Sequence, residues 1–531
     1  MFNITTTVQI ALAAIASVWI WRRTRLYYRR RNLKLMHGCM DVPEIPDWDP
    51  ILGLGFTYKF VTSDINQQRL IHNVTQQLQT YGYTHASKVM GHRLFFTCEP
   101  DNLKAVLQGQ FDHFDNELRS VPAGHFMGKG IFLADGEKWQ RSRALVRPNF
   151  ARDQVADLGS LERHFQILLS ILPQDGSAVD LSPLFFAFTM DSITDFLFGE
   201  SVKALQAHAS AGRAGPGGGG GGEGGGGVDA NSPWDQEGIE KFAEAWEYAQ
   251  NDMLFRFVLG PARHVYQDKK ANRCVKMIHD HVDRYVDEAI RFRNEELARV
   301  GGEKRTGSDG RYIFLYALAE QTQDRRVLRD ELMNVLMAGR DTTAALLSNL
   351  FHTFARRPDV WAKVKNEVLH LEGRLPKYDD IRNMTYLRWC INESLRLHSV
   401  VGVLGKQASF DTTLPRGGGP GGKSPIFVPK GSVVMYSMLA QHRRKDLFGE
   451  DALEFRPERW ETLRPGWNYV PFNGGPRICV GQQYALTEAS YLVVRFAQTF
   501  AAVESRDPEP WSIGKRLLTC PMNGTVVSLR R

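Results

Sequence analysis

The sequence has few cysteines, and their spacing excludes two common kinds of small-domain architecture. Its six cysteines, in a chain of 531 residues, are scattered, with no C-x-x-C pair and no dense run. Disulfide-stapled secreted scaffolds and zinc modules both depend on closely spaced cysteines. We therefore expect no structural zinc site, no disulfide framework and a body that faces the reducing cytosol.

Outside one short segment, the net charge of the chain is also small. The formal net charge is +7, and six basic residues fall close together: Arg22, Arg23, Arg25, Arg29, Arg30 and Arg31. The rest of the chain is near neutral and shows no basic face with interleaved aromatic residues. A nucleic-acid partner is therefore not expected, whereas a local basic cluster suits the surface of a membrane.

The segment before these arginines lacks charge altogether. Residues 4–21 are uncharged and end with Trp19 and Trp21, and a run of about 18 to 20 such residues just crosses a bilayer. Because the positive charge follows the run, the positive-inside rule predicts an uncleaved anchor over residues 1–21 with its N-terminus in the lumen. A cleaved signal peptide and an amphipathic surface helix are the alternatives. Residues 22–50, basic and proline-rich, then form a stiff connector.

No internal repeat divides the remainder, and residues 51–531 are interpreted as one large domain. Apolar periodicity predicts many helices and short strands, so the fold class is mainly α with a minor β-sheet region. The main predicted elements are helices over 66–82, 155–172, 235–258, 265–298, 323–356 and 484–500, a hairpin over 84–97, short strands within 399–440 and a strand pair near 515–530. A polar break is expected at 113–130, and the glycine-rich insertion at 212–227 is expected to be disordered.

One stretch carries an unusual combination of residues for a turn. It reads Phe472-Asn473-Gly474-Gly475-Pro476-Arg477-Ile478-Cys479-Val480-Gly481 and leads directly into an apolar helical pattern. A cysteine at the start of a helix lies among backbone N–H groups and the positive end of the helix dipole, which favour thiolate over thiol. Such a site suits a soft ligand, and Arg477 adds a cation beside the sulfur. The alternative is a glycine-rich turn with a buried free cysteine.

This stretch spells F-x-x-G-x-R-x-C-x-G, which resembles the haem-binding loop of the cytochromes P450, the haem-thiolate monooxygenases. The resemblance implies the cytochrome P450 fold and a b-type haem whose iron takes Cys479 as its axial ligand, in a loop that begins at Phe472. It also implies haem propionate contacts from Arg477 and from the W-x-x-x-R pair Trp139 and Arg143.

A long predicted core helix at 323–356 contains residues that suit such a helix poorly. Its middle reads Ala338-Gly339-Arg340-Asp341-Thr342-Thr343, where glycine costs about 1 kcal/mol and Asp and Thr compete for backbone hydrogen bonds. On structural grounds alone, Thr342 bonds back to the carbonyl of Ala338 and bends the helix. The A-G-x-D-T-T pattern resembles the oxygen-binding groove of the cytochrome P450 distal helix, which implies that Asp341 and Thr342 relay protons for oxygen activation.

Glu393 and Arg396 lie three residues apart and can pair on one face of a predicted helix. Such pairs are common and worth only a few tenths of a kcal/mol. Together with F-R-P-E-R-W at 455–460, however, they resemble the E-x-x-R plus arginine network of the same family, with Arg459 as the third member. The resemblance implies a structural brace behind the haem.

A second glycine-rich stretch matches the sequence pattern of a nucleotide-binding loop but not the structure that such a loop needs. Residues 417–424 satisfy G-x-x-x-x-G-K-[ST], but that site needs a helix that starts at Lys-Ser and supplies N–H groups to phosphate. Pro425 and a strand pattern follow instead. We therefore expect a hairpin turn here and no nucleotide site.

Three segments resemble, more narrowly, the fungal subfamily that hydroxylates n-alkanes and fatty acids at the chain end: 413–420, 442–449 and 472–479. Three features depart from the pattern of relatives: Lys406 where an arginine often contacts a propionate, Ser399 where a proline usually stands, and the insertion at 212–227. A lysine offers a point charge where an arginine offers a two-pronged donor.

Membership of this family implies an enzyme that inserts one oxygen atom from dioxygen into a C–H bond of a lipophilic substrate. The expected apolar pocket takes Ala338, Val401, Val403 and the segment 113–133. Because the chain has no flavin or Rossmann signature, electrons from NADPH are expected to arrive through a separate membrane-bound flavoprotein reductase. The expected location is the endoplasmic reticulum membrane, single-pass, with the catalytic domain in the cytosol.

Terminal hydroxylation of n-alkanes or fatty acids is the favoured activity, and oxidation of another lipophilic metabolite is the first alternative. A haem-thiolate isomerase or dehydratase and a non-enzymatic haem binder are the other two. The pair Asp341 and Thr342 argues against both of these, because neither needs a proton relay for dioxygen chemistry.

Overall fold

The computed structural model describes residues 4–65, 69–151, 157–213, 236–259, 263, 265–298, 312–514 and 518–531. Within these ranges helices far outnumber strands, so the mainly α fold class with a minor β-sheet region is confirmed. The insertion at 212–227 lies outside the described residues, apart from its first two positions, which end a helix.

The helices, in chain order, are α1 (Ile4–Met36), α2 (Leu54–Lys59), α3 (Leu70–Thr80), α4 (Pro100–Lys104), α5 (Glu117–Met127), α6 (Gly136–Val146), α7 (Gly159–Ile171), α8 (Leu181–Phe198), α9 (Ala204–Arg213), α10 (Gln236–Val258), α11 (Lys269–Ala298), α12 (Phe314–Gln321), α13 (Arg325–Phe354), α14 (Pro358–Val368), α15 (Tyr378–Asn383), α16 (Thr385–Leu397), α17 (Met438–His442), α18 (Lys445–Phe448) and α19 (Gln482–Thr499). Single turns of 3-10 or π-helix extend or connect several of them.

The strands are β1 (Thr84–Val89), β2 (His92–Thr97), β3 (Phe114–Asp115), β4 (Val179–Asp180), β5 (Val403–Ala408), β6 (Thr412–Gly418), β7 (Ser424–Val428), β8 (Val433–Ser437), β9 (Ala502–Ser505) and β10 (Val526–Arg530). They form a five-stranded sheet in the order β1-β2-β8-β5-β3, a three-stranded sheet in the order β4-β10-β9 and the hairpin β6-β7. In the largest sheet β1 and β2 are antiparallel, whereas β2 and β8 are parallel.

The chain forms two compact units, of which the first takes residues up to Thr57, Gln76–Asp115 and Gly405–Tyr436. It holds nearly all of the five-stranded sheet and the β6-β7 hairpin, whose strands pair antiparallel. This hairpin includes residues 417–424, which match the sequence pattern of a nucleotide-binding loop. Strand β7 starts at Ser424, where that site would need a helix, so the predicted hairpin is confirmed.

Helix α1 also belongs to the first unit, and it continues unbroken through the arginine cluster to Met36. The early part of the connector at 22–50 is therefore helical, and its prolines follow only after the helix ends. Arg30 donates two hydrogen bonds to Asp411, at 2.9 and 3.2 Å. This ion pair fastens the basic end of α1 to the turn between β5 and β6.

The second unit takes Tyr58–Thr75, Asn116–Leu404 and Ser437–Arg531, and it is built around α13. Three helices meet at Phe351 of α13, whose ring centroid lies 5.1 Å from that of Phe185 on α8 and 4.7 Å from that of Phe496 on α19. These rings belong to one of two large apolar clusters in the unit. Because the packing comes from three distant parts of the chain, it fixes α13 from several sides.

One helix among the described residues is long and apolar enough to cross a membrane, and it is α8. Protein buries 83% of it, so α8 is a core helix that is apolar all round because other elements surround it. In α1, by contrast, large apolar side chains are exposed: Leu12, Ile15, Val18, Trp19, Ile20 and Trp21.

Two sequence-based expectations are wrong in detail. The polar break at 113–130 contains helix α5, because Phe126 packs edge-to-face on Trp246 of α10 at 5.0 Å and this contact outweighs Pro122 and Gly124. Whereas the described residues near 515 contribute a single antiparallel bridge between Ile513 and Pro521, the final strand β10 pairs with β9 and β4. Such pairing joins remote segments, which local periodicity does not reveal.

Candidate active site

The loop of residues 472–481 folds back on itself before α19 begins. The amide of Cys479 donates to the carbonyl of Phe472 at 3.0 Å, and the side chain of Phe472 packs on the larger apolar cluster. Asn473 and Gly475 both take φ of 65°, a left-handed conformation that allows this tight return. Cys479 is thereby held three residues before the N-terminus of α19.

The thiol of Cys479 is accessible to solvent, yet protein surrounds it closely. This burial raises the pKa of the Cys479 thiol, while the amide of Gly481 and the guanidinium of Arg143 act in the opposite direction. The backbone amide near the helix end thus acts in the expected direction and favours the thiolate, but desolvation outweighs it.

Trp139 of α6 contacts both arginines that the sequence predicts for the site, Arg143 and Arg477. The guanidinium carbon of Arg143 lies 5.7 Å from the centroid of the Trp139 ring, and that of Arg477 lies 4.6 Å from it. Such cation–π contacts hold a guanidinium in place without neutralising it. Arg143 also donates to the carbonyl of Ile478 at 3.1 Å. The structure thus groups Trp139, Arg143 and Arg477 around the loop that carries Cys479.

Arg477 has partners that the motif did not indicate. It donates to a carboxylate oxygen of Asp135 at 2.6 Å and to the carbonyl of Ala134 at 2.7 Å. Asp135 also accepts two hydrogen bonds from Asn116, both at 2.8 Å. Because no local spacing links positions 135 and 477, only the three-dimensional structure shows that Asp135 orients Arg477.

Helix α13 is buried before and after a short accessible stretch in its middle. Residues 330–336 and 343–354 are buried, whereas 337–342 are half-buried or exposed, with Ala338 exposed. A Cβ on Gly339 would lie 2.7 Å from Ile193 of α8, so the glycine allows the two helices to approach closely. The hydroxyl of Thr342 donates to the carbonyl of Ala338 at 2.7 Å, which is the bond expected on structural grounds.

Two donors hold the carboxylate of Asp341. Gln250 of α10 donates to one oxygen at 2.7 Å, and the neighbouring Arg340 donates to the other at 3.0 Å. Thr189 of α8 in turn donates to the carbonyl of Arg340 at 2.7 Å. Nothing in the sequence indicates this role of Gln250, because it lies 91 residues from Asp341 in an ordinary helical pattern.

The E-x-x-R pair and Arg459 form a buried cluster in which each charged group has several partners. Glu393 accepts two hydrogen bonds from Arg396, at 2.8 and 2.9 Å, and one from Arg459 at 2.8 Å. The indole of Trp460 donates to Glu393 at 3.0 Å, a role that the F-R-P-E-R-W motif did not assign. The two arginines also donate to backbone carbonyls of His442, Phe448, Asp451, Ala452 and Glu454.

Ser399, which stands where relatives usually carry proline, belongs to a hydrogen-bonded chain that reaches the loop. The amide of Val470 donates to Nε2 of His442 at 2.9 Å, so the proton of His442 resides on Nδ1. That Nδ1 donates to the hydroxyl of Ser399 at 2.8 Å, and the hydroxyl donates to the carbonyl of Leu395 at 2.9 Å. Burial lowers the pKa of His442 to about 3, which agrees with a neutral ring.

Three further residues were predicted for the site: Lys406, Val401 and Val403. Lys406 belongs to the first unit, where it is buried in β5 and its ammonium lies 5.9 Å from the centroid of the Phe111 ring. Val401 and Val403 are half-buried in the second unit, and Val401 packs on the edge of the larger apolar cluster.

The cytochrome P450 family model matches residues 43–527 of the chain. This chain belongs to the cytochrome P450 family. Among similar relatives of this P450, cytochrome P450 monooxygenase fsdH of Fusarium heterosporum is 41% identical over 542 residues, covering 100% of this chain and 90% of that protein. Cytochrome P450 monooxygenase himC of Aspergillus japonicus is 43% identical over 521 residues, covering 98% and 88%. Cytochrome P450 52A1 of Candida tropicalis is 42% identical over 432 residues, covering 79% and 75%.

Cytochrome P450 monooxygenases use a haem iron and receive electrons from a separate reductase. The residues grouped here suit a haem, because an accessible thiol offers a soft iron ligand and two guanidinium groups, of which Arg477 is also paired with Asp135, offer N–H donors to carboxylates. The accessible stretch of α13 adds an apolar surface in Ala338 and Met337.

Proposed function

We propose that this cytochrome P450 hydroxylates n-alkanes or fatty acids at the chain end, with Cys479 as the axial thiolate ligand of its haem. The observation that carries the proposal is the grouping of Trp139, Arg143 and Arg477 around the accessible thiol of Cys479. When bound, the haem supplies the activation of dioxygen, one atom of which enters a C–H bond while the other leaves as water.

In this proposal Arg143 and Arg477 hold the two haem propionates, and Trp139 positions both guanidinium groups. Asp135 fixes the direction of Arg477 through the 2.6 Å contact. The Glu393, Arg396 and Arg459 cluster braces the segment behind the haem without touching substrate. Lys406 is proposed as a further propionate contact, as the resemblance implies.

Asp341 and Thr342 are proposed to move protons on the distal side. Thr342 lies on the accessible stretch of α13, and its hydroxyl can accept a proton while it donates to the carbonyl of Ala338. Both carboxylate oxygens of Asp341 accept hydrogen bonds, from Gln250 and Arg340, so we propose that Asp341 takes part after one of these contacts has loosened. Ala338, Val401, Val403 and α5 are proposed to line the substrate pocket.

The substrate class is supported by the segments 413–420, 442–449 and 472–479, which resemble fungal hydroxylases of n-alkanes and fatty acids. A second candidate is oxidation of another lipophilic metabolite, because the relatives fsdH and himC are named only as cytochrome P450 monooxygenases and leave the substrate open. The isomerase and dehydratase alternative is disfavoured, because that chemistry has no use for the relay pair Asp341 and Thr342.

We further propose that α1 anchors the protein in the endoplasmic reticulum membrane, with the catalytic domain in the cytosol. Its exposed apolar residues from Leu12 to Trp21 and the arginines that follow support this arrangement. A membrane-bound flavoprotein reductase then supplies electrons from NADPH in the same bilayer.

The proposal is tested by reconstituting the purified protein with a fungal NADPH-dependent reductase in vesicles. We expect NADPH and dioxygen consumption to rise with a fatty acid or n-alkane, and mass spectrometry to find the hydroxyl group at the chain end. Hydroxylation of a different lipid alone would favour the second candidate. No turnover across a panel of lipids would contradict the monooxygenase function itself.

A further inference from the structure

The turn of residues 128–133, which connects α5 to α6, is held by side chains of α13. Three of its backbone amides donate to that helix: Lys129 to Asp330 at 2.8 Å, Ile131 to Glu331 at 2.9 Å and Phe132 to Asn334 at 2.9 Å. The three acceptors share one face of α13, because positions 330 and 334 are one helical turn apart and 331 lies three residues before 334. Amides in a turn lack the acceptors that a helix or sheet provides, and α13 supplies them here.

The turn also lies directly against α13. Asn334, 1% exposed, donates to the carbonyl of Met127 at 2.8 Å and to that of Asp330 at 2.7 Å. A Cβ on Gly130 would lie 2.7 Å from the carbonyl of Asp330, and one on Gly128 would overlap the carboxylate of the same residue. The position of the turn is therefore set by the position of α13.

This turn ends at two acceptors of Arg477. Arg477 donates to the carbonyl of Ala134 at 2.7 Å and to the carboxylate of Asp135 at 2.6 Å. The amides of Leu133 and Ala134 donate back to the carbonyl of Gly130, at 3.1 and 3.0 Å. The hydrogen bonds from the turn to α13 thus continue, through Gly130, to the residues that hold Arg477.

Glu331 also faces the helix that carries the other predicted arginine. Burial raises the pKa of Glu331 to about 7, although the hydroxyl of Ser142 on α6 and the amide of Ile131 favour its charged form. Ser142 directly precedes Arg143 in α6. One side chain of α13 therefore contacts both the turn that leads to Arg477 and the helix that carries Arg143.

We propose that Asp330, Glu331 and Asn334 are positioning residues for the haem, because they hold the turn that orients Arg477. This inference rests on the proposed function, in which Arg477 contacts a haem propionate. A guanidinium makes its two-pronged contact with a carboxylate only in a restricted geometry, so its orientation matters. Release of the turn from α13 would let the acceptors at positions 134 and 135 move, and Arg477 with them.

The first test compares Asn334→Ala with Asn349→Ala in the full-length holoprotein. Both asparagines are buried on α13, but Asn349 donates to the carbonyl of Thr519 and accepts from the indole of Trp511, both at 2.9 Å. Haem loss is measured as transfer to excess apomyoglobin, and stability as the unfolding midpoint. We expect both variants to lose stability, but only Asn334→Ala to lose haem about tenfold faster. Equal acceleration in both would overturn the positioning role.

A second comparison uses a milder change at Glu331 and remains decisive where Asn334→Ala folds poorly. Glu331→Gln keeps an oxygen that can accept from the amide of Ile131, whereas Glu331→Ala removes it. We expect haem loss at the parent rate in Glu331→Gln and about fivefold faster loss in Glu331→Ala. The same rate in both variants would contradict the proposed role of this hydrogen bond.

A double-variant cycle with Arg477→Gln shows whether the effect passes through Arg477. Arg477→Gln alone should speed haem loss, and the further change Asn334→Ala should then alter the rate by less than about twofold. An undiminished effect of Asn334→Ala in that background would overturn the proposal.

The outcomes separate this inference from the proposed function. If Arg477→Gln keeps the parent rate of haem loss, the propionate contact and this inference both fall, whereas the monooxygenase function stands. If Arg477→Gln speeds haem loss while Asn334→Ala and Glu331→Ala do not, only the positioning role falls. The carbon monoxide difference spectrum of each reduced variant shows that it has folded around its haem.

Discussion

Two buried glutamates in the second unit show how differently the same side chain is accommodated. Glu393, with no exposed surface, accepts five hydrogen bonds, from two arginines, an indole and the amide of Arg456. Glu488 of α19 is 1% exposed, and neither of its oxygens accepts a hydrogen bond from a described residue. The hydroxyls of Ser192 and Thr343 face it and favour its charged form, but burial outweighs them and raises the pKa of Glu488 to about 8.

The two regions differ in whether their buried glutamate is charged. The cluster around Glu393 matches every buried charge with a partner, and Glu393 is the carboxylate that Arg396 and Arg459 share. The contact between α13 and α19 is instead made of neutral groups at physiological pH, next to the stretch that carries Asp341 and Thr342. The proposed brace and a contact near the proposed proton path therefore use the same residue type in opposite protonation states.

The largest expected effect comes from Glu393→Ala. It leaves Arg396 buried without its carboxylate and Arg459 with Asp451 as its other carboxylate partner, and breaking a buried ion pair typically costs about 3 to 5 kcal/mol. Chemical unfolding monitored by haem absorbance should show this loss, together with low haem content. Glu450→Ala, at a side chain that is 90% exposed, is the control and should behave like the parent. A parent-like midpoint for Glu393→Ala would show that the brace is dispensable.

Thr342→Ala should leave stability nearly unchanged but reduce product formation by about 100-fold. NADPH oxidation should continue, with peroxide or water formed in place of product. The measurement is the ratio of product to NADPH consumed in the reconstituted system. Thr353→Ala, which removes a hydroxyl with a similar bond to the carbonyl of Asn349 on the same helix, is the control. Tight coupling in Thr342→Ala would defeat the relay hypothesis.

Glu488→Gln tests the other half of the comparison. Because the folded-state pKa of about 8 exceeds the ordinary value of 4.5, the folded protein loses stability as pH rises through this interval. The slope is on the order of 1 kcal/mol per pH unit. Glutamine cannot ionise, so the variant should lose this slope and be more stable than the parent at pH 8. Parallel pH profiles of the two unfolding midpoints would mean that Glu488 is ionised in the folded state.

The smallest effect is expected from Ser399→Ala. It removes the acceptor of His442 Nδ1 and one hydrogen bond to the carbonyl of Leu395, so unfolding should become easier by about 1 kcal/mol. The same unfolding assay measures it. An unchanged midpoint would show that this chain of hydrogen bonds does not tie the brace to the loop.

The sequence predicts what is local and misses what joins remote segments. The spacing of Glu393 and Arg396 and the period of α13 are visible because one helix carries them. The partners Gln250 for Asp341 and Asp135 for Arg477 are not, because tertiary packing alone brings them together. The raised thiol pKa of Cys479 cannot be read from the sequence for a similar reason: the helix end is a local feature, whereas desolvation depends on the whole surrounding protein.

The central claim is that Cys479 ligates the haem iron, and one spectrum tests it directly. Cys479→Ser should abolish the red-shifted band that the reduced carbon monoxide complex of this family shows. Cys274→Ser, at a half-buried cysteine on α11, should retain the band. A band unchanged in Cys479→Ser would exclude Cys479 as the ligand and contradict the account.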